Sequence, residues 1–338
     1  MLMRTSTMAI ANHNSSSFRY DRGMTAPILG LHHVTATVDD AQDDLDLCVG
    51  TLGLRLVKTT VNFDNHHVYH FYYGDKHGTP GTIWTTFPYR DHGVRVGTRG
   101  AGKVVTTVFS VPHGSLAVWR ARLAHDSIAA TDLPDRFGDA AVAFSDASGL
   151  EFELIASAQD ERLPWVVEDI DPSAAIRGLH SVTIAVRDEA PTLAFMAQLG
   201  WQEIAREGNR VRTAVNGGGP GRLIDVIVDP QRPQGINGLG TVHHVAMAIE
   251  TGEQQRELRD QLLAQRVKVT DIRDRCYFRS IYFREPGGVL FEVATMKPGF
   301  AVDEDESTLG TALKLPPWEE PHRADIERHL PDIGVPRR

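Results

Sequence analysis

The sequence predicts an α+β protein of four βαβββ modules that form two cup-shaped mixed β-sheet barrels. Two observations carry this. First, three segments open alike, GLHHVTATV at 30–38, GLHSVTIAV at 178–186 and TVHHVAMAI at 241–249. KVVTTVFSV at 103–111 shares their alternating, β-branched character, the mark of a strand with a buried face. Second, a helical stripe and further strand-like runs follow each opening, so one unit recurs along the 338 residues. A single unit leaves a curved sheet face uncovered. Two facing units close a cup, and four make two.

Taken in order, residues 1–28 lack hydrophobic periodicity and read as a frayed tail without a secretory signal; Met24 stands where an alternative start would fall. In the first module, 29–90, Asp40 is a helix N-cap, and Leu45, Cys48, Val49 and Leu52 recur at i, i+3, i+4, i+7. Gly53 stops that helix. Strand runs VYHFYY (68–73) and TIWTTF (82–87) follow. His66 and His67, just after FDN, read as a solvated hairpin turn. The second module, 103–157, has the stripe Leu116, Trp119, Leu123 and closes with LEFELIA. Modules one and two thus span 29–157, and modules three and four span 177–297. In the third, Pro191 suits a first helical turn, Met196 and Leu199 face inward, Gly200 ends the helix, and RLIDVIV closes the unit. The fourth, 240–297, has Leu258, Leu262 and Leu263 on its inner stripe, then YFRSIYF and VLFEVAT. Residues 298–338, with an acidic DEDE run, read as a tail packed over the body.

Composition narrows the function. Asp plus Glu exceed Lys plus Arg by 44 to 35, a net charge of −9 without a basic run, which argues against nucleic acid or an anionic membrane surface. No apolar stretch is long enough to span a bilayer. Two cysteines, Cys48 and Cys276, are too few for a disulfide framework, and a reducing cytoplasm fits. A homo-oligomer is compatible with all of this. The glycine-rich run NGGGPG (216–221) falls between strands rather than before a helix, so it is not a phosphate cradle.

The chemistry emerges when the modules are aligned on their first and last strands. His33 then falls opposite Thr106, Ser181 and His244, while Thr86, Glu153, Asp225 and Glu292 share one position near the end. Chance would give 15 histidines about 0.7 adjacent pairs. The chain has His32–His33, His66–His67 and His243–His244, two of them opening equivalent strands. His33, His244 and Glu292 make two neutral nitrogen donors and one anionic oxygen, the set that leaves cis positions open on a non-haem Fe(II). The middle modules offer no imidazole at that position, and their cup reads as a relic.

Six stretches carry a family resemblance: LHHVTATVDDAQ, GLRLVKTTVNFDN, YHFYYGDKHGTPGTIWTTFP, HHVAMAI, PGGVLFEVAT and GFAVDEDESTLG. Between residues 29 and 312 the chain resembles the vicinal-oxygen-chelate superfamily, and within it the chlorohydroquinone and hydroquinone 1,2-dioxygenases and related ring-cleaving enzymes. The resemblance implies Fe(II), with Mn(II) as the alternative ion, bound by His33, His244 and Glu292 in a cup made by modules one and four. It implies a small aromatic substrate and O2, substrate contacts from His32, Thr35 and Arg275, and catalytic roles for His243, Arg275 and Tyr282. Strand alternation puts Thr35 on the same face as His33, whereas His32 and His243 point to the opposite face unless a bulge re-aims them. Cys276 reads as packing.

Two rival activities fit less well. A catechol-type extradiol site with histidines from modules three and four is broken by Ser181. A glyoxalase-like isomerase needs an acid closing module one, where the alignment gives Thr86.

Overall fold

The computed structural model describes residues 28–336. The expected N-terminal tail, apart from Ile28, and Met24 lie outside the described residues. The first module comprises β1 (Gly30–Val38), α1 (Ala41–Leu45), β2 (Arg55–Asn62), β3 (Asn65–Gly74) and β4 (Ile83–Pro88). The second comprises β5 (Lys103–Pro112), α2 (Leu116–His125), β6 (Ala130–Arg136), β7 (Asp139–Ser145) and β8 (Glu151–Ser157). The third comprises β9 (Gly178–Val186), α3 (Glu189–Gln198), β10 (Gln202–Glu207), β11 (Arg210–Ala214) and β12 (Leu223–Val228). The fourth comprises β13 (Thr241–Ile249), α4 (Gly252–Ala264), β14 (Arg273–Asp274), β15 (Arg279–Arg284) and β16 (Leu290–Thr295), and α5 (Arg323–His329) follows near the end of the chain.

The strands form two curled, mixed eight-stranded sheets, the vicinal-oxygen-chelate fold. One runs β14-β15-β16-β13-β1-β4-β3-β2 and the other β10-β11-β12-β9-β5-β8-β7-β6. The first and fourth modules therefore share one sheet through the antiparallel β1–β13 seam, and the second and third share the other through β5–β9. All nine residues of β1 and of β9 are buried, so their His, Ser and Thr side chains lie inside the protein along with the apolar ones.

Local chemistry explains the helices. The Asp40 carboxylate accepts from the backbone N–H of Gln42 at 2.7 Å and of Asp43 at 2.9 Å, satisfying two orphan donors. Leu45, Cys48, Val49 and Leu52 are buried, and the helix continues through a wider π-type turn over Asp46–Thr51 before Gly53 turns the chain at φ +66°. In α4, Leu258 and Leu262 are buried one turn apart, but Leu263 is 42% exposed. One residue further is a rotation of about 100°, which carries Leu263 off the inner stripe.

Two other expectations are corrected. His66 and His67 are not a free turn: they begin β3, and only Phe63 and Asp64 make the connection. Thr86 is not the module-one counterpart of Glu292. In the parallel register Thr35 stands opposite Thr85, as Ala246 stands opposite Glu292, each two residues beyond the aligned histidine. A one-residue slip changes face, and the Thr86 hydroxyl donates to Asp44 on the helix side of the sheet.

Candidate metal centre and active site

His33 on β1, His244 on β13 and Glu292 on β16 are buried and meet at one point. Nε2 of His244 is 2.7 Å and Nε2 of His33 is 3.3 Å from Oε2 of Glu292, and the two Nε2 atoms are 3.2 Å apart. Oε1 of Glu292 accepts a hydrogen bond from the Ser280 hydroxyl, whereas among the described residues the buried Oε2 has no aligned hydrogen-bond donor. A buried carboxylate oxygen left without an aligned donor beside two imidazole nitrogens is a donor set that fits a cation. Burial alone would raise the Glu292 carboxyl, but His33 and His244 hold it well below the usual range. Burial lowers His244, which favours the neutral imidazole a metal requires.

Two bulges shape this centre. Leu31 and His33 of β1 stand opposite the consecutive residues Met247 and Ala246, so His32 is the extra residue. Thr35 and Ala36 stand opposite His244 and Val242, so His243 is the extra residue on β13. A bulge re-aims its side chain. Nδ1 of His32 lies 2.9 Å from Nδ1 of His33, and Nδ1 of His243 lies 2.8 Å from Nδ1 of His244. A neutral imidazole donates from one nitrogen only, so where His32 accepts at Nδ1 the proton between the two rings belongs to His33. His33 then carries its proton on Nδ1 and keeps the Nε2 lone pair for the centre. Burial lowers His32 and His243 to about 3, so both are neutral near pH 7.

The centre opens into a cavity of about 210 Å³ lined in part by Thr35, His70, His243, Arg275, Phe278 and Tyr282. His32 does not line it; it packs behind His33 against Phe278, with ring centres 4.9 Å apart. Arg275 Nε donates to the Tyr282 hydroxyl at 3.2 Å, and its Nη2 reaches Asp64 at 3.5 Å. Burial opposes the Arg275 charge, but Tyr282 and nearby acids raise its value on balance. Cys276, beside it, has φ +64° and a thiol that burial pushes up to about 12.

Sequence reading missed His70. Its Nε2 lies 2.8 Å from the Thr85 hydroxyl, which donates to Thr35 at 3.1 Å, and burial holds the ring neutral. The available signal was alternation, since His70 and Tyr72 share one face of β3. Asn62 and Tyr89, joined by a 2.7 Å hydrogen bond, also line the cavity.

The second cup has salt bridges instead. Arg212 Nε contacts Asp225 at 2.8 Å, Arg210 contacts the same carboxylate at 3.2 Å, and Arg136 pairs with Glu153.

The glyoxalase/bleomycin resistance protein/dioxygenase superfamily model matches residues 178–293. A Bacillus subtilis (strain 168) protein, MhqE, provisionally named a ring-cleaving dioxygenase, is 40% identical over 306 residues, 90% of this chain and 99% of its own. The chain belongs to this superfamily. The chlorohydroquinone/hydroquinone 1,2-dioxygenase of Sphingobium indicum is a 36% identical superfamily relative over 313 residues, covering 90% of this chain and 96% of its own. A crystal structure of a provisionally assigned dioxygenase from Bacillus subtilis subsp. subtilis str. 168 aligns with TM-score 0.88 at 39% identity, over 93% of this chain and 100% of that one. Among superfamily members this chain is an oxidoreductase of the dioxygenase group, and that membership implies a metal cofactor.

Proposed function

We propose that this enzyme opens the ring of a substituted para-hydroquinone with O2, using Fe(II) held by His33, His244 and Glu292. The observation that carries the reading is a buried two-His, one-carboxylate set whose cavity also holds the Arg275–Tyr282 pair. A ferrous ion held by these three residues would supply O2 activation, and both oxygen atoms would enter the ring-opened product.

The protein's own groups divide the remaining work. Glu292 supplies the anionic donor, and His32 and His243 hold the ligand imidazoles through Nδ1. The two hydroxyls of a para-hydroquinone lie across the ring from each other, so with one directed at the three ligands the other would need a protein donor. Arg275 is the charged donor and Tyr282 its partner, and a preoriented charge in a dry site stabilises a developing oxyanion. Thr35, with Thr85 and His70 behind it, is the polar group on the β1 side. His243, neutral and accepting at Nδ1 from His244, carries its proton on Nε2 and would donate a hydrogen bond from there to the substrate.

A catechol-type site with histidines from modules three and four fits less well, because Ser181 stands in place of an imidazole on β9 and β9 and β13 lie in separate sheets. A four-ligand isomerase site is disfavoured because Thr85, not an acid, faces Thr35.

The test is anaerobic reconstitution with Fe(II), or Mn(II), then oxygen uptake with hydroquinone, methylhydroquinone, chlorohydroquinone and catechol. Para-hydroquinones are expected to turn over faster. Preference for catechol would replace this reading with the extradiol one.

A further inference from the structure

A second cluster of imidazoles lies away from the catalytic centre, where the start of β3 meets the C-terminal segment. Ligand atoms of His66, His67 and Asp325 all lie within 4.8 Å of one another. His67 Nε2 is 3.0 Å from Asp325 Oδ2, and Nδ1 of His66 is 2.7 Å from Glu319. The His329 ring stacks on His67 with centres 4.2 Å apart, one helical turn beyond Asp325 on α5, so both reach the same side of the helix.

Two features distinguish this from an ordinary surface ion pair. First, three of the four closest side chains come from two separated parts of the chain and are already half-buried against each other: His66 is 33%, His67 32% and Asp325 44% exposed at the side chain. Second, the outer hydrogen bonds suit metal ligation. His329 donates from Nδ1 to the Asp325 carbonyl at 2.8 Å, and the Glu319 carboxylate holds Nδ1 of His66. Carbonyl or carboxylate partners on Nδ1 fix the tautomer that leaves Nε2 as a donor.

We propose that His66, His67, Asp325 and His329 form a second binding site for a divalent transition cation of the Zn²⁺ or Ni²⁺ class, with Glu319 orienting His66. Imidazole and carboxylate donors without thiolate select that class. Donors on one ion at about 2.1 Å stand about 3.4 Å apart, so His66, His67 and Asp325, now within 4.8 Å of one another, close by about 1.4 Å at most, and the His329 ring turns out of its stack on His67 to join them. Arg328, now 2.8 Å from Oδ1 of Asp325, leaves Oδ2 toward His67. The bound cation would tie α5 to the tip of the β2–β3 hairpin. That tip carries Phe63 and Asp64, which line the catalytic cavity, and Phe63 meets Trp318 of the same C-terminal segment at 5.7 Å.

The site is independent of the catalytic reading, and the test separates them. Chelator-stripped full-length protein is dialysed against Zn²⁺ and its bound zinc counted, for the wild type, His67→Ala, His329→Asn, Glu319→Gln and Glu292→Ala. The wild type should take up one zinc more per chain than His67→Ala or His329→Asn. Glu292→Ala should keep the zinc that those variants lose. Glu319→Gln should weaken that zinc by about 10–100-fold. His329 is half exposed, so His329→Asn tests the site without disturbing the core. Equal zinc in the wild type, His67→Ala and His329→Asn, or loss of all zinc in Glu292→Ala, overturns the proposal.

Discussion

Arg275 and Tyr282 concentrate the specificity question in one hydrogen bond. The guanidinium spans the Tyr282 hydroxyl and Asp64 while lining the cavity. Losing a hydrogen bond to a charged group costs about 1.5–3 kcal/mol, or about 10–150-fold in rate when it acts in the transition state. Arg275→Ala should therefore slow hydroquinone-dependent oxygen uptake by about that factor while iron content stays at the wild-type level. An unchanged rate would remove Arg275 from the substrate site. His244→Ala acts differently: it removes one of the three proposed donors, so iron and activity should disappear together in elemental analysis and oxygen uptake. Retention of full iron would mean that another residue is the ligand.

At the scale of single elements, the bulges in β1 and β13 are what bring His32 and His243 against their neighbours. His32→Ala should keep all three metal donors but lose the partner on Nδ1 of His33, weakening metal affinity by about 10–100-fold as measured by competition with a chelator. An unchanged affinity would make His32 mere packing. The helix side of β4 gives a pH prediction. Burial raises the Asp44 carboxyl from 3.8 to about 6, against hydrogen bonds from Thr86 and, at 2.7 Å, from Tyr73. A raised folded-state value means that the folded chain binds the proton more tightly than the unfolded chain. Stability from this group is therefore present below about pH 4 and falls as pH rises to about 6. Two units correspond to about 3 kcal/mol at most. Asp44→Asn keeps an oxygen for both hydroxyls and should flatten that decline, read from urea unfolding between pH 4 and pH 7. A decline as steep as in the wild type would refute the assignment.

For the whole molecule, the C-terminal segment is part of the first cup rather than an appendage. The Lys58 ammonium on β2 is fully buried between Asp303 and Glu304, and Asp303 also accepts from Tyr277 at 3.1 Å. Glu304 is only 4% exposed, so removing the lysine strands a buried charge, at about 3–5 kcal/mol. Lys58→Ala should lower unfolding stability by about that amount and open the segment after residue 298 to limited proteolysis. Protease resistance equal to wild type would show that apolar contacts such as Phe300, Leu309 and Ile326, all buried, hold the segment without it.

The sequence by itself determined the modules, because period-two strands, helical stripes and caps are local. GLHHVTATV and TVHHVAMAI carry both the strand signal and the imidazoles, and the internal repeat brings Glu292 into line with them. It did not determine which face each residue takes where pairing is irregular. Thr86 aligned with Glu292 by count, yet Thr85 faces the cavity, because face follows interstrand register and not sequence spacing. His32 and His243 turned on bulges that only the β1–β13 pairing creates. His70, and the meeting of His66 and His67 with residues some 250 positions away, were illegible for the same reason. These contacts join segments distant along the chain, and no local pattern records a partner supplied by closure of the cup.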